Sequence, residues 1–381
     1  MSLTVNVSSY ISSLCYSVLR IEPYTSCSYS CIYCYAKWYR NTNTVKPQYN
    51  LISEFKKCIL KLRELKLKTI PFRMATLIDP FQPIEDKYRI SRYVLKLCLE
   101  NNIPLILNTK SITYTQKVWF KLISELSNKG LLLLQVTIVT PSDNISRIIE
   151  PNAPTTSERL KAIEKTLSEN IPVAIRYQPL IPGASDIDSV KDLFSQFKAL
   201  NVRQVIVESI RCLEDDILFL KGMLENRWVY DLIWESYALK NEGEARLRRP
   251  PLKWRLETFK MIRDLSVKFN IDFATCKEGL FSLHTARNCC GIHLLDEEKY
   301  VLRPTLYEAW IIYRKTGKIP YYDEIIREFG GDKYIYGEKL RIYPKVLRDG
   351  LKAHEKRFMK ILINEEITKR IASSLSTRGS I

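Results

Sequence analysis

Between residues 16 and 208, short apolar runs alternate with segments whose apolar positions recur every three or four residues. Residues 16–21 read as a first strand. Ile52, Phe55, Ile59 and Leu62 then share one helical face in a segment running to residue 68, with Cys58 beside that face. An apolar strand over residues 69–78 stops at Asp79-Pro80. The pattern repeats as a helix over 86–101, which places Ile90, Tyr93, Val94, Leu97 and Cys98 on one side, and a strand over 104–108. A helix over 116–127, a strand over 131–139, a helix over 155–169, a strand over 171–177, a helix over 188–200 and a strand over 202–208 follow. The run 131–139 is apolar enough to need cover on both faces, and Gly130 suits the residue that ends the preceding helix.

Six strands alternating with five helices predict a parallel α/β sheet with helices outside it. An open partial barrel and a doubly wound sheet both fit this rhythm. The first strand is followed by cysteines and not by a glycine-rich phosphate turn, which favours the barrel. In a barrel the chemistry belongs on loops at the C-terminal ends of the strands.

Beyond Cys212 the alternation stops. Residues 213–239 are expected to be helical, carrying Trp228, Tyr230, Trp234 and Tyr237, and residues 241–244 break that helix. Next come Arg246, Arg248, Arg249, Lys253, Arg255, Lys260 and Arg263, interleaved with Trp254 and Phe259. Such a stretch either binds single-stranded nucleic acid by phosphate contacts and stacking or is a surface helix whose aromatic residues face the core. From Tyr300 onward Tyr-, Lys- and Arg-rich helices are expected to cap the open barrel. Residues 372–381 are Ser-rich and read as a disordered tail. The expected division is a barrel over 1–210, a mainly helical region over 211–371 and that tail.

At 381 residues, 46% apolar and 27% charged, the chain has the composition of a soluble globular protein. No apolar run reaches membrane-spanning length, and no secretory signal is evident before Arg20. The expected compartment is the cytoplasm. Ten cysteines without regular disulfide spacing agree with a reducing interior. A net charge of +17 favours a polyanionic partner if the charge is clustered, or merely solvates helix faces.

The sharpest chemistry is the stretch after the first strand, where Cys27, Cys31 and Cys34 are spaced C-x3-C-x2-C. A cubane [4Fe–4S] cluster has four irons and normally takes four thiolates, so three cysteines leave one iron open to a small molecule. Ser26, Ser28 and Ser30 suit the tight turn required. Structural zinc prefers four ligands, commonly as paired C-x2-C units, and a disulfide would leave an odd thiol; both alternatives stay open on spacing alone. Farther on, Cys276, His284, Cys289, Cys290 and His293 fall within one short span. They are candidates for a second cluster or zinc, for a catalytic thiol, or for plain buried cysteines.

The three-cysteine loop, with Tyr33 before its last thiol, resembles the cluster loop of radical S-adenosylmethionine (SAM) enzymes. That resemblance implies a [4Fe–4S] cluster on Cys27, Cys31 and Cys34 and SAM chelated at the open iron. One-electron cleavage of SAM would then give a 5′-deoxyadenosyl radical, with a ferredoxin or flavodoxin as electron donor. Several strand ends extend the likeness: Pro23-Tyr24, Cys34-Tyr35-Ala36, Asp79-Pro80 with Gln82-Pro83 and Glu85, Thr109-Lys110-Ser111, Glu150-Pro151 and the segment Pro179 to Gly183. In this order they resemble spore photoproduct lyase and its relatives over residues 20–210. The resemblance places Lys110 and Thr137 at the carboxylate and amine of SAM. Strand ends also bring Asp79 and Arg176 into the same rim, and Tyr33 and Tyr35 flank the last cluster thiol, where a tyrosine could relay a radical. The sequence departs from spore photoproduct lyase near the end of the second strand, where Met74-Ala75-Thr76-Leu77 offers no thiol as hydrogen donor. Cys276, Cys289 and Cys290 are the candidates for that missing thiol.

The expectation is therefore a partial (β/α)6 radical SAM barrel with a mainly helical C-terminal extension, acting on a nucleic acid base or sugar. Its rivals are a radical enzyme for a peptide or small molecule, and a zinc-stabilised nucleic-acid-binding protein without catalysis.

Overall fold

A computed structural model describes residues 2–40, 42–224, 231 and 233–376. Strands β1 (Phe72–Met74), β2 (Leu105–Thr109), β3 (Leu132–Ile138), β4 (Val173–Leu180) and β5 (Gln204–Ser209) follow one another in the sheet. A two-residue ribbon pairs β6 (Glu235–Ser236) with β7 (Arg248–Arg249). The strand β8 (Asp272–Thr275) then completes a six-stranded parallel sheet in the order β1-β2-β3-β4-β5-β8.

This differs from the sequence reading at both edges. Residues 16–21 form no strand of the sheet and touch β1 only through the Arg20–Arg73 bridge, where Ile21 N–H donates to Arg73 C=O at 3.0 Å. The last strand comes instead from Asp272–Thr275, paired with β5 from Gln204–Asp272 to Val207–Thr275. The helix Leu252–Lys268 leads into it, so the sixth helix-to-strand unit is complete but displaced by an insertion after β5. The barrel thus reaches past residue 210, the boundary expected for it. Within the insertion the helix spans Glu214–Met223; Trp228 and Tyr230 of the expected longer helix lie outside the described residues.

The helix-to-strand turns share one device. Lys66, Asn102, Gly130, Asn170, Asn201 and Asn270 each have positive φ, between 52° and 66°, and each ends a helix shortly before a strand of the sheet. Left-handed backbone there lets the chain reverse, and Asn and Gly adopt it at lowest cost. Helix starts are set by side chains: Thr155 and Glu158 form a capping box at Thr156–Ser168.

Alternation along each strand sorts side chains into two cores. Leu105, Leu107, Leu132, Leu134, Val136, Val173, Ile175, Val205, Val207 and Phe273 point outward against the helices. Ile106, Leu133, Ala174 and Ile206 point inward and cluster with Cys276 on the cavity side and with Cys290, Ile292, Leu295 and Tyr300, which close the N-terminal end of the lumen. Farther on, Leu306–Thr316, Tyr322–Phe329, Lys345–Ile363 and Glu365–Ile371 gather with the N-terminal helix Ser9–Leu14 around a separate apolar cluster. Residues 372–376 are not a loose tail: Ser373–Leu375 is a 3-10 turn, and Ala372 and Leu375 are buried in that cluster. Among the described residues no helix is long and apolar enough to cross a membrane.

Candidate active site

Inward-facing positions at the C-terminal ends of the strands open into a cavity of about 420 Å³. It is lined by Cys27, Cys31, Cys34, Tyr33, Tyr35, Asp79, Lys110, Thr137, Arg176 and Cys276 among others. Residues scattered over 250 positions of sequence are thereby brought to one place because parallel strands all end on the same side.

The cysteine loop is clamped from outside. Gln82 accepts from Ser28 N–H and donates to Ser26 C=O, both at 2.8 Å, and so grips the backbone on either side of Cys27. Ser30 takes positive φ (53°), giving the tight reversal between Cys27 and Cys31. Ile32 N–H donates to Ile149 C=O at 3.0 Å, and a guanidinium nitrogen of Arg40 lies 3.6 Å from Cys34 Sγ. Burial pushes the Cys27 thiol up to about 11 and the Cys31 thiol higher still. Without a cation such thiols stay protonated, and a metal displaces the proton. Among the described residues no group of three or more His, Cys, Asp or Glu converges on one ion. A cubane presents its irons at separate corners, so its ligands need not meet at a point, and three cavity-facing thiols on one loop suit that shape better than they suit a four-ligand zinc site.

Asp79, which lines the cavity, also organises the backbone beside it. Its carboxylate accepts from Thr109 Oγ1 at 2.9 Å, Phe81 N–H at 3.0 Å and Lys110 N–H at 2.6 Å, while burial pushes its pKa up. It fixes the turn that presents Lys110. The Lys110 ammonium sits 3.9 Å from Glu150 and 5.7 Å from the Tyr33 ring centre. Glu150 is itself buried, bonded to the Tyr33 hydroxyl and paired with Arg159 at 2.5 Å. Lys110 is therefore held at the rim by a carboxylate already shared with two other partners. Tyr35 donates to Thr76 C=O at 2.6 Å and stacks under Arg211 at 4.1 Å.

The Cys/His segment divides. Cys276 Sγ faces the lumen, 3.7 Å from a guanidinium nitrogen of Arg176, with its thiol raised by burial. Cys289 and Cys290 do not line the cavity; their sulfurs lie 3.7 Å apart, and Cys290 packs beneath the lumen, with its thiol against Cys15. Nε2 of His284 accepts from Thr275 N–H at 3.0 Å, and the ring stacks on Tyr307. Among the described residues this segment brings no three His, Cys, Asp or Glu side chains together around one ion, and His284 is engaged by the backbone of β8.

The basic stretch 246–263 is divided: Arg246, Lys253 and Lys260 are exposed, and others are part of the packing. Trp254 and Phe259 are buried, and Arg249 and Arg255 pair with Glu235 and Glu278.

Sequence reading overlooked a layer of polar side chains below the rim. Arg73 on β1 donates to Asn108 at 2.9 Å and to Gln135 at 2.8 Å, and Arg176 donates to the same Gln135 oxygen at 2.8 Å. Glu208 on β5 pairs with Arg211 at 2.5 Å and with Lys277 at 3.6 Å. The signal available was a charged or amide residue at alternate positions of otherwise apolar strands.

Residues 21–194 match the family model described as the Radical SAM superfamily. A protein of Acidianus two-tailed virus is 26% identical over 178 residues, which are 46% of this chain and 54% of that one. A radical SAM Nα-GlyT isomerase of Pseudomonas phage M6 is 22% identical over 271 residues, 69% of this chain and 55% of the relative. The chain thus spans about half the length of these relatives. The fold is similar to that of spore photoproduct lyase with dinucleoside spore photoproduct, at a TM-score of 0.51 and 14% identity, covering 66% of this chain and 74% of the other.

Proposed function

We propose, on the premise that residues 21–194 are a radical SAM domain, that this protein cleaves SAM reductively and applies the resulting radical to a substrate in the barrel. The observation that supports this best is the sharing of one cavity by Cys27, Cys31, Cys34, Lys110, Thr137 and Cys276. Cys27, Cys31 and Cys34 hold a [4Fe–4S] cluster, which supplies the electron for sulfonium cleavage when SAM is bound to it. Lys110 gives a charge-assisted hydrogen bond to the carboxylate of SAM, and Thr137 orients its methionine end from β3. Tyr33 fixes Lys110 and Glu150 together, and Tyr35 closes the cavity under Arg211. Cys276 is the thiol set to return a hydrogen atom to a carbon-centred radical; Cys289 and Cys290, outside the cavity, have no such role. The electron comes from a small carrier such as ferredoxin or flavodoxin.

The substrate class is a nucleic acid base or sugar. The net charge of +17 supports this, as does the dinucleoside in the related fold. Binding of single- or double-stranded DNA or RNA should weaken with salt along a linear log–log slope. A slope of zero for all four would move the substrate to a peptide or small molecule. The metal is tested by anaerobic reconstitution: iron and sulfide near four each per chain, lost in Cys31→Ala, is the expected outcome, and stoichiometric zinc without iron would replace the reading by a zinc-stabilised binding protein.

A further inference from the structure

The cavity wall carries more positive charge than its own side chains neutralise. Arg73, Arg176, Arg211 and Lys277 all line the cavity. The carboxylate of Glu208 pairs with Arg211 and Lys277 and favours the Arg176 charge only from beyond pairing distance. Among the described residues no carboxylate pairs with Arg73 or Arg176, although each is only 7% exposed. Their shared partner is a neutral amide oxygen, that of Gln135. No hydrogen bond among the described residues engages Nη2 of Arg73, and Arg176 turns its second nitrogen only to the Cys276 sulfur. Burial keeps that thiol protonated, so it offers no counter-charge. A buried guanidinium without a counter-charge costs several kcal/mol, and Arg is suited to gripping an oxyanion with its planar fork.

Arg73 lies below the rim, whereas Arg176 starts level with Thr137 and turns its guanidinium down to Gln135. Gln135 precedes Thr137 by two residues on β3, and Asn108 precedes Lys110 by two on β2, which is one inward-facing step of ~7 Å. Gln135 is anchored from below, donating to Cys290 C=O at 2.7 Å. Asn108 donates to Ala75 C=O at 3.0 Å. The acceptor that aims both guanidiniums is therefore fixed in place before any ligand enters.

We infer that Arg73 and Arg176 form the deep end of the substrate site and bind an oxyanion, a carboxylate or phosphate carried by the substrate, beside Cys276. This rests on the radical reading for its placement of SAM at the rim. The shared Gln135 sets the two forks, and the anion completes the neutralisation that the protein leaves undone.

The probes are acetate and inorganic phosphate, each titrated into the reconstituted protein at constant ionic strength against chloride, with thermal unfolding as the readout. A saturable rise in midpoint with either anion is expected, the preferred one identifying carboxylate or phosphate. Arg73→Gln and Arg176→Gln should lose the rise and unfold without anion no earlier than wild type, because they remove an uncompensated buried charge. Arg263→Gln, altering a half-buried arginine outside the cavity that pairs with Asp264, should keep it. Equal, non-saturating shifts in all four proteins would overturn the inference as a surface-charge effect. Wild type alone gives a second test should the variants misfold. The response should persist with saturating SAM, and its loss would assign the arginines to the carboxylate of SAM instead. SAM cleavage without any saturable anion response would sink this inference and leave the radical reading intact; an anion response without SAM cleavage would do the reverse.

Discussion

Gln82 holds the backbone on both sides of Cys27 with one side chain, so the shape of the cysteine loop depends on a residue that is not itself a ligand. Replacing it by alanine leaves the buried Ser26 C=O unpartnered at about 1–3 kcal/mol. The Gln82→Ala protein should retain less iron than wild type after desalting, with unchanged far-ultraviolet circular dichroism. A second expectation at this scale concerns the buried imidazoles. Burial lowers His284 and His354 to about 3, and His354 is enclosed between Ser12 and the Val5 carbonyl. Their neutral forms belong to the folded state. Stability is thus full above the ordinary value of 6.5, falls progressively as pH drops below it, and is lost toward about 3. Chemical denaturation between pH 7.5 and pH 4 should show this decline, and His354→Gln should flatten it. What could be read at single residues follows a pattern. Lys110 and Thr137 stood out as polar residues at strand ends. Asp79 also stood out, yet its oxygens are consumed by the turn of Lys110, which depends on backbone directions a sequence does not contain. Arg73 and Gln135 looked like interruptions of apolar strands, because nothing local says that the second face of those strands is a lumen.

At the scale of elements, positive-φ residues before the strands set where each helix stops. Gly130 is the strictest case: its φ is +66°, and a Cβ there would lie 2.4 Å from Cβ of Asp296. Gly130→Ala should destabilise the fold by at least ~1–2 kcal/mol from the backbone alone, measurable as a lowered denaturation midpoint with unchanged slope. The helix and strand rhythm over residues 52–208 was plain in the sequence because amphipathic helices and apolar strands differ in period. Strand Asp272–Thr275 was not, since four residues beside a cluster of cysteines and histidines carry too little period to outweigh the chemistry next to them. The run 16–21 was apolar for a different reason: it borders the barrel core without joining the ladder.

For the molecule as a whole, the charge of +17 is distributed partly inward. Arg73, Arg176, Arg211 and Lys277 line the cavity, and Arg249 and Arg255 are buried against Glu235 and Glu278. Only the remaining surface charge is available to a polyanion, so the salt slope of nucleic acid binding should be shallower than the sequence charge suggests. The fold class was legible from the whole pattern, whereas the insertion between β5 and the last unit of the barrel was not, because it separates elements that only tertiary pairing reunites. The central claim is that this cavity makes a radical from SAM. Its most direct test is anaerobic incubation of the reconstituted protein with dithionite and SAM, followed by quantification of 5′-deoxyadenosine. Formation by wild type well above the level of Cys31→Ala is the expected result; equal levels in the two proteins would contradict it.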